Sequence, residues 1–459
     1  MIQVKNLIGG QFFSTEEVFD DISPINNAVI ASVPRTKSVQ SAVSAAEIAF
    51  EGWSKLSIEE RCGWLDKIAD ALEARIEEIA KLEAMDTGKP IDVALNVDAK
   101  RSVNNFRFFA SFGRDLKNET FEMDDATNYV IRKPVGIVGL ISPWNLPLYL
   151  LTWKIAPAML MGNVVIAKPS ELTPLTAHFL GKICVEIGLP DGVLNIVNGY
   201  GPEIGQKIVE HPKIKAISFT GGTATGKQVA ATAAPLFKKL SLELGGKNAS
   251  IVLDDADLDI AVPGVLRASF LNSGQICLCG SRILVHSSLY ESFLSRYLEE
   301  LERFEIGPVI SNQHREKILS YIELAKSEGG SIIFGGNVIE KAGAWIEPTV
   351  ITDLSHKSRT ATEEIFGPVV TIHSFDSDEE AIEMANSTEY GLAGSVWSRD
   401  RGRTVAERIE SGMVWVNTWL HRDLRVPFGG VKDSGVGREG GMWSIGFFSE
   451  AINICVMED

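Results

Sequence analysis

From residue 135 onward, short β-rich runs alternate with helical stretches, and this alternation constrains the fold more than any other feature of the chain. The runs 135–141, 163–167, 193–197 and 216–219 are separated by helical patterns near 148–161, 174–187, 201–210 and 224–233. Such alternation implies a parallel sheet covered by helices. Right-handed crossovers then collect the loops that follow each strand along one edge, where ligands bind. After Gly246 the runs 249–253, 282–285, 331–334, 369–375 and 413–417 make a second alternating region, read as a second α/β lobe. At 459 residues the chain exceeds a single core and fits two or three lobes.

Upstream, Ser57 followed three residues later by Glu60 forms a capping-box pattern. Cys62, Leu65, Ile68, Ala69, Leu72, Ile76 and Ile79 then give one apolar helix face, ended by Gly88 and Pro90. Residues 135–167 are almost all apolar, yet Pro143, Pro147 and Pro157 interrupt them, and Asn145 and Lys154 lie inside. Two buried strands flanking a short helix explain the run better than a membrane span, so no membrane partner is expected. A net charge of −16 without a basic cluster excludes nucleic acid as a partner. Five scattered cysteines argue against a disulfide framework and for a reducing compartment. Met1 to Phe13 show no basic patch followed by an apolar core, and the expected location is the cytoplasm.

The fourth run leads toward a phosphate-binding pattern. Residues 216–219 pass into Gly221-Gly222-Thr223-Ala224-Thr225-Gly226-Lys227-Gln228, which nearly matches a P-loop. Gln228 stands where a Mg²⁺-holding hydroxyl belongs, so the phosphotransferase reading is poor. As a glycine turn that sets a helix N-terminus against a pyrophosphate the segment is good, with a plain strand–helix turn as the bland alternative. Lys168-Pro169-Ser170-Glu171 follows another run at the same sheet edge. Its cation and acid suit ribose hydroxyls, and an acid there would repel a 2′-phosphate, favouring NAD over NADP. A solvated turn is the bland alternative.

Cys277 lies in Gly274-Gln275-Ile276-Cys277-Leu278-Cys279. An isolated cysteine is by default a small core hydrophobe. Cys277 and Cys279 are too close for a zinc pair and no compatible partner pair follows, so no metal site is expected. Glu243, in Glu243-Leu244-Gly245-Gly246, and Asn145, after Trp144, change those odds. A thiol, a carboxylate and an amide donor are the parts needed to attack a carbonyl, activate water and hold an oxyanion.

Pro143-Trp144-Asn145, Lys168-Pro169-Ser170-Glu171, Phe219-Thr220-Gly221, Glu243-Leu244-Gly245-Gly246-Lys247, Gly274-Gln275-Ile276-Cys277, Glu363-Glu364-Ile365-Phe366-Gly367-Pro368 and Pro427-Phe428-Gly429-Gly430 together resemble the aldehyde dehydrogenase superfamily in order and spacing. The resemblance implies two Rossmann-like lobes and a small antiparallel oligomerisation element. Residues 1–115 and 135–246 would bind NAD, 247–434 would carry the nucleophile, and 116–134 with 435–459 would bridge subunits into a homodimer or homotetramer. It further implies Cys277 as nucleophile, Asn145 as oxyanion donor and Glu243 as the base that hydrolyses the thioester. The coenzyme A-acylating branch lacks that glutamate, so a free acid is the expected product. Ile141, Trp144, Lys168, Glu171, Gly221, Gly222, Gly245, Glu364 and Phe366 would contact the cofactor, with His314 and Lys317 approaching its ribose.

Leu151-Thr152-Trp153-Lys154, Leu278-Cys279 and Arg422-Asp423-Leu424 resemble the subgroup acting on 2-aminomuconic and 2-hydroxymuconic semialdehydes. Those aldehydes carry a distal carboxylate, and the resemblance implies Arg107 and Arg422 as the pair that binds it, against surface ion pairing as the usual fate of arginine. A betaine-type or general aliphatic aldehyde dehydrogenase, and a catalytically silent relative, are the competing readings. Relatives also carry about ten more residues between Ile306 and Gly307, a loop-sized difference.

Overall fold

The computed structural model describes residues 1–457 and resolves them into two large sheets, a small antiparallel sheet that includes the C-terminal strand, and two lesser sheets of three and two strands. The first sheet runs Gly435–Val436, Lys239–Glu243, Ile214–Thr220, Ile137–Ile141, Val164–Lys168, Leu194–Ile196, Asn6–Ile8, Gln11–Phe13. From Lys239–Glu243 to Leu194–Ile196 the strands are parallel. Ile137–Ile141, the earliest of these, sits between Val164–Lys168 and Ile214–Thr220, so the chain winds outward from it in both directions. A crevice opens above such a switch point, at the carboxyl ends of the strands.

Burial on both faces explains why these strands read as unbroken apolar runs. Every residue of Ile137–Ile141 and Val164–Lys168 is buried, as is every residue of the helix Pro147–Leu160 between them. Among the described residues no helix is long and apolar enough to cross a membrane.

The second sheet runs Ser331–Phe334, Thr349–Thr352, Val369–Phe375, Arg282–His286, Ala249–Val252, Ala393–Trp397, Met413–Val416, parallel except for Ser331–Phe334. Sequence periodicity passes over three parallel strands of the two large sheets: Lys239–Glu243, Thr349–Thr352 and Ala393–Trp397. The last is instructive, because Ala393, Gly394 and Ser395 offer little β-propensity. They are small because the strand is buried on both sides, with Ser395 Oγ bonded to Ser250 Oγ at 3.1 Å across the sheet.

The small sheet pairs Ser449–Met457, Ala126–Pro134 and Glu119–Glu122 in antiparallel order. Residues 435–448, expected with it, lie elsewhere. Gly435–Val436 pairs with Lys239–Glu243, and Gly441–Phe447 packs on Pro147–Leu160. Residues 458 and 459 of that expected segment lie outside the described residues.

The capping box at Ser57 is formed on both sides: Glu60 N–H donates to Ser57 Oγ at 3.2 Å and Ser57 N–H to Glu60 Oε2 at 2.7 Å. The single helix expected up to Gly88 is two, Ile58–Glu73 and Ile76–Thr87, parted where Arg75 leaves helical geometry at φ −121°. Ser57→Ala is expected to cost about 1 kcal/mol of stability, read by denaturant unfolding.

Candidate active site

The thiol sits on a strained turn. After the helix Leu258–Phe270, Asn272 (φ 54°), Ser273 (φ 57°) and Gly274 (φ 70°) adopt left-handed backbone in succession. Only glycine fits the last position, where a Cβ would stand 2.2 Å from the Gly367 carbonyl oxygen. The turn is pinned from outside. Ser273 Oγ donates to the Gly307 carbonyl at 2.9 Å, and Ile310 N–H donates to Gln275 Oε1 at 2.9 Å. The direct Ile306-Gly307-Pro308 connection thus braces the turn that carries Cys277. Backbone strain of this kind collects at functional sites.

Cys277 is half-buried, and its carbonyl accepts from Asn248 Nδ2 at 2.7 Å. Burial above all, then the charges of Glu364 and Glu243, push its thiol well above the ordinary value, with Arg422 opposing. Asn145 follows Ile137–Ile141 at the switch point and is buried. One amide N–H is held by the Gln275 carbonyl at 2.9 Å, which ties Asn145 to the turn that carries Cys277. Glu243 ends Lys239–Glu243, is 3% exposed, and has no hydrogen-bond partner on either oxygen among the described residues. Burial first, then Glu439, raises its carboxyl well above the usual range, against Lys154, Arg438 and Arg422.

Two adjoining cavities gather most of the remaining expected residues. A cleft of about 500 Å³ is lined by Ile141, Trp144, Lys168, Glu171, Gly221 and Gly222. A chamber of about 250 Å³ shares Trp144, Gly221 and Gly222 and adds Asn145, Gly245, Cys277, His314, Lys317, Glu364 and Phe366. Glu243 lines neither cavity and lies against Gly429, where a Cβ would stand 2.6 Å from its Oε1.

Lys168 Nζ pairs with Glu171 at 2.6 Å. Burial pushes the Glu171 carboxyl up, but the charge and hydrogen bond of Lys168 outweigh it and hold the group below its usual range. Gly222 caps the helix Thr223–Ala233 without a side-chain bond. Lys227, the would-be P-loop lysine, turns away to Asp433 at 2.7 Å and is exposed, which removes the phosphotransferase reading.

Glu364 accepts from Gly246 N–H at 2.8 Å, and a Cβ on Gly245 would come within 2.3 Å of the same carboxylate. Phe366 is held at φ 62° while its carbonyl lies 2.7 Å from His314 Nε2. Burial keeps His314 near pKa 4, so the neutral ring donates this bond. Trp144 meets both rings edge-on, Phe366 at 5.3 Å and His314 at 5.5 Å between centroids.

The arginine pair needs one correction. Arg422 is half-buried beyond Cys277, with Nη1 donating to Tyr149 Oη at 2.9 Å and its guanidinium 4.1 Å from the Phe428 ring. Arg107 is not there. It lies on the outer face of Lys100–Arg114, with a 40% exposed side chain paired to Asp70 and Glu73. The residue facing Arg422 is Arg101, on the same helix, 5.4 Å from the Tyr149 ring. Six positions on a helix turn a side chain by about 240°, so Phe106-Arg107-Phe108 and Lys100-Arg101-Ser102 address different neighbours. Burial, together with Arg422, holds the Arg101 guanidinium below its ordinary value, against Tyr149. Among the described residues neither Arg101 nor Arg422 has an acidic partner, and Arg422 Nη2 is buried without any.

Residues 12–454 match the model of the aldehyde dehydrogenase family. The chain is 47% identical over 479 aligned positions to 2-aminomuconic semialdehyde dehydrogenase of Homo sapiens, covering 99% of this chain and 98% of the relative. It is 44% identical to 2-hydroxymuconic semialdehyde dehydrogenase of Pseudomonas sp. strain CF600, covering 99% of this chain and all of the relative (100%). A solved NAD⁺ complex of aldehyde dehydrogenase from Bacillus cereus superposes with a TM-score of 0.97 at 38% identity, covering 100% of this chain and 97% of that one.

A thiol raised by burial exposes little thiolate near neutral pH. Iodoacetamide labelling of Cys277, followed by peptide mass spectrometry, is expected to keep accelerating above pH ~9, where an ordinary thiol of pKa about 8.5 levels off. A plateau below that pH would contradict the burial effect.

Proposed function

The chain belongs to the aldehyde dehydrogenase family, and within it we propose an enzyme that oxidises a muconic-type semialdehyde with a distal carboxylate to the free acid, using NAD. The observation that carries this reading is the pair Arg101 and Arg422, two half-buried cations near the thiol with no ion-pair partner among the described residues. A desolvated guanidinium without a counter-ion calls for an anionic ligand. Two of them can grip a carboxylate with bidentate geometry. The two relatives named above act, by their names, on semialdehydes of this class.

The cleft suits a dinucleotide. Its lining includes the buried hydroxyls of Ser142 and Thr220, which lack partners, the Lys168–Glu171 pair, and an uncapped helix start at Gly222. Lys168 and Glu171 would hold a ribose, the Gly222 helix start the pyrophosphate, and Glu364 with Phe366 the nicotinamide end. Bound NAD would supply the hydride acceptor.

In this reading Cys277 loses its thiol proton to solvent as Sγ bonds to the aldehyde carbon and the C=O π pair moves onto oxygen. The Asn145 amide and the Cys277 N–H hold the oxygen as it becomes negative. After oxidation the substrate is a thioester on Cys277. Glu243 draws a proton from water to hydrolyse it, and a carboxyl tuned upward suits a base working near neutrality. Lys154 and Glu439, paired at 2.6 Å and joined by Ser218, are two of the charges that Glu243 feels.

A cationic betaine-type substrate would be repelled by the same arginines, and a silent relative would have no use for the thiol and carboxylate together. NADH absorbance at 340 nm separates these cases. Arg101→Ala and Arg422→Ala are expected to raise KM for a carboxylated semialdehyde by about 30- to 150-fold, the cost of about 2–3 kcal/mol for a charged hydrogen bond. A neutral aldehyde should change little, and Arg107→Ala should be near-neutral with both. Equal losses on both substrates would sink the assignment.

We also infer a homo-oligomer, dimer or tetramer, bridged through the small sheet. Ser449–Met457 is its edge strand and exposes Ile454, Val456 and Met457, the kind of edge that seeks a partner. Light scattering at micromolar concentration should give at least twice the 50.1 kDa chain mass, and a monomer would refute it.

A further inference from the structure

Opposite the cleft, a buried cation is spent on the backbone of Asn145. Lys89 follows Gly88, whose left-handed turn (φ 76°) ends Ile76–Thr87. Its ammonium donates to the Asn145 carbonyl oxygen at 2.9 Å and to Asp98 Oδ2 at 2.9 Å, and the two charged side chains are 1% and 0% exposed. Asn272 Nδ2 reaches the same carbonyl at 3.1 Å from the nucleophile turn. Glu83, beside this pair, accepts Leu148 N–H at 3.3 Å, so the start of the next helix is held by the same cluster.

The geometry is more than satisfaction requires. One donor is enough for a buried carbonyl, and Asn272 already provides it. Desolvating an ammonium and a carboxylate is costly, and the pair is strongly directional once made. Its outlet is the peptide group whose side chain carries the oxyanion donor. With the carbonyl fixed from behind and one amide N–H held by Gln275, the other N–H has a single place to point.

We propose that Lys89, oriented by Asp98, is a positioning residue for oxyanion stabilisation, acting solely through Asn145. The inference rests on the reading of Asn145 as the oxyanion donor. Misplacing a catalytic group by about 1 Å costs about 100-fold in rate, and loss of an oxyanion donor about 100- to 1000-fold.

The test is a double-mutant cycle on the full-length enzyme, with Lys89→Met, Asn145→Ala and the pair. Lys89→Met is expected to lower kcat by about 100-fold with KM within about threefold. Cys277 alkylation, which needs no oxyanion donor, should stay within about twofold of the parent, and Lys89→Met should add nothing once Asn145 is alanine. A Lys89 effect that persists in the Asn145→Ala background overturns the proposal, as does a kcat loss matched by a loss in Cys277 alkylation. An Asn145→Ala enzyme with unchanged kcat overturns the oxyanion reading and this inference with it. Should Lys89→Met fail to fold, Asp98→Asn takes its place, keeping volume and an acceptor while removing the charge. Unchanged kcat in that variant equally overturns the proposal.

Discussion

A lysine inside a fully buried helix has to be neutralised, and much of the site is arranged around that requirement. Lys154 lies on Pro147–Leu160 with no solvent exposure, and among the described residues its ion-pair partner is Glu439, 285 positions along the chain. Removing either partner would strand a charge in a dry interior, a loss of several kcal/mol. The contact therefore fixes the segment around Glu439 against the first sheet, with Ser218 bridging from Ile214–Thr220. It also explains why residues 435–448 leave the small sheet. Their place is decided by the cation they must cover and by the strand Lys239–Glu243 they must pair with. Glu243, at the end of that strand, then feels the charges of both Lys154 and Glu439.

Two kinds of constraint meet at the thiol. On one side the parallel sheet delivers Asn145, Lys168, Gly221 and Glu243 from the ends of four strands, a rigid and regular supply. On the other, Cys277 arrives on three left-handed residues braced by Gly307, Ile310 and Gly367. The bond from Asn145 to the Gln275 carbonyl joins the rigid half to the strained half. Preorganisation here is the registration of two lobes, each of which would be incomplete alone.

What could be read from residues alone follows this division. Strands buried on both faces announce themselves as apolar runs, so Ile137–Ile141 and Val164–Lys168 were legible almost to the residue. Ala393–Trp397 was not, since a strand made of small residues carries its information in what packs on it. Gly264 offers no room for a Cβ because Trp397 fills the space, with the built atom 2.0 Å from the ring. Most cofactor-side residues fell into the two cavities because they sit in contiguous motifs after strands. The arginines show the limit. Arg422 is legible in its loop motif, while the resemblance points to Arg107 and gives no sign of Arg101 on the same helix, since helical phase relative to a neighbour's side chains is set by packing. Lys89 and Asp98 gave no signal at all, because a buried ion pair is defined by its surroundings rather than by its spacing.

Burial of Cys277 reaches beyond its own chemistry. A thiol kept protonated in an apolar setting reacts slowly with peroxides and other soft electrophiles, which attack thiolate. Glu243, also buried and held above the usual carboxyl range, provides no base beside it at rest. The idle protein is thereby chemically quiet. The fold keeps this thiol neutral and shields it from oxidants.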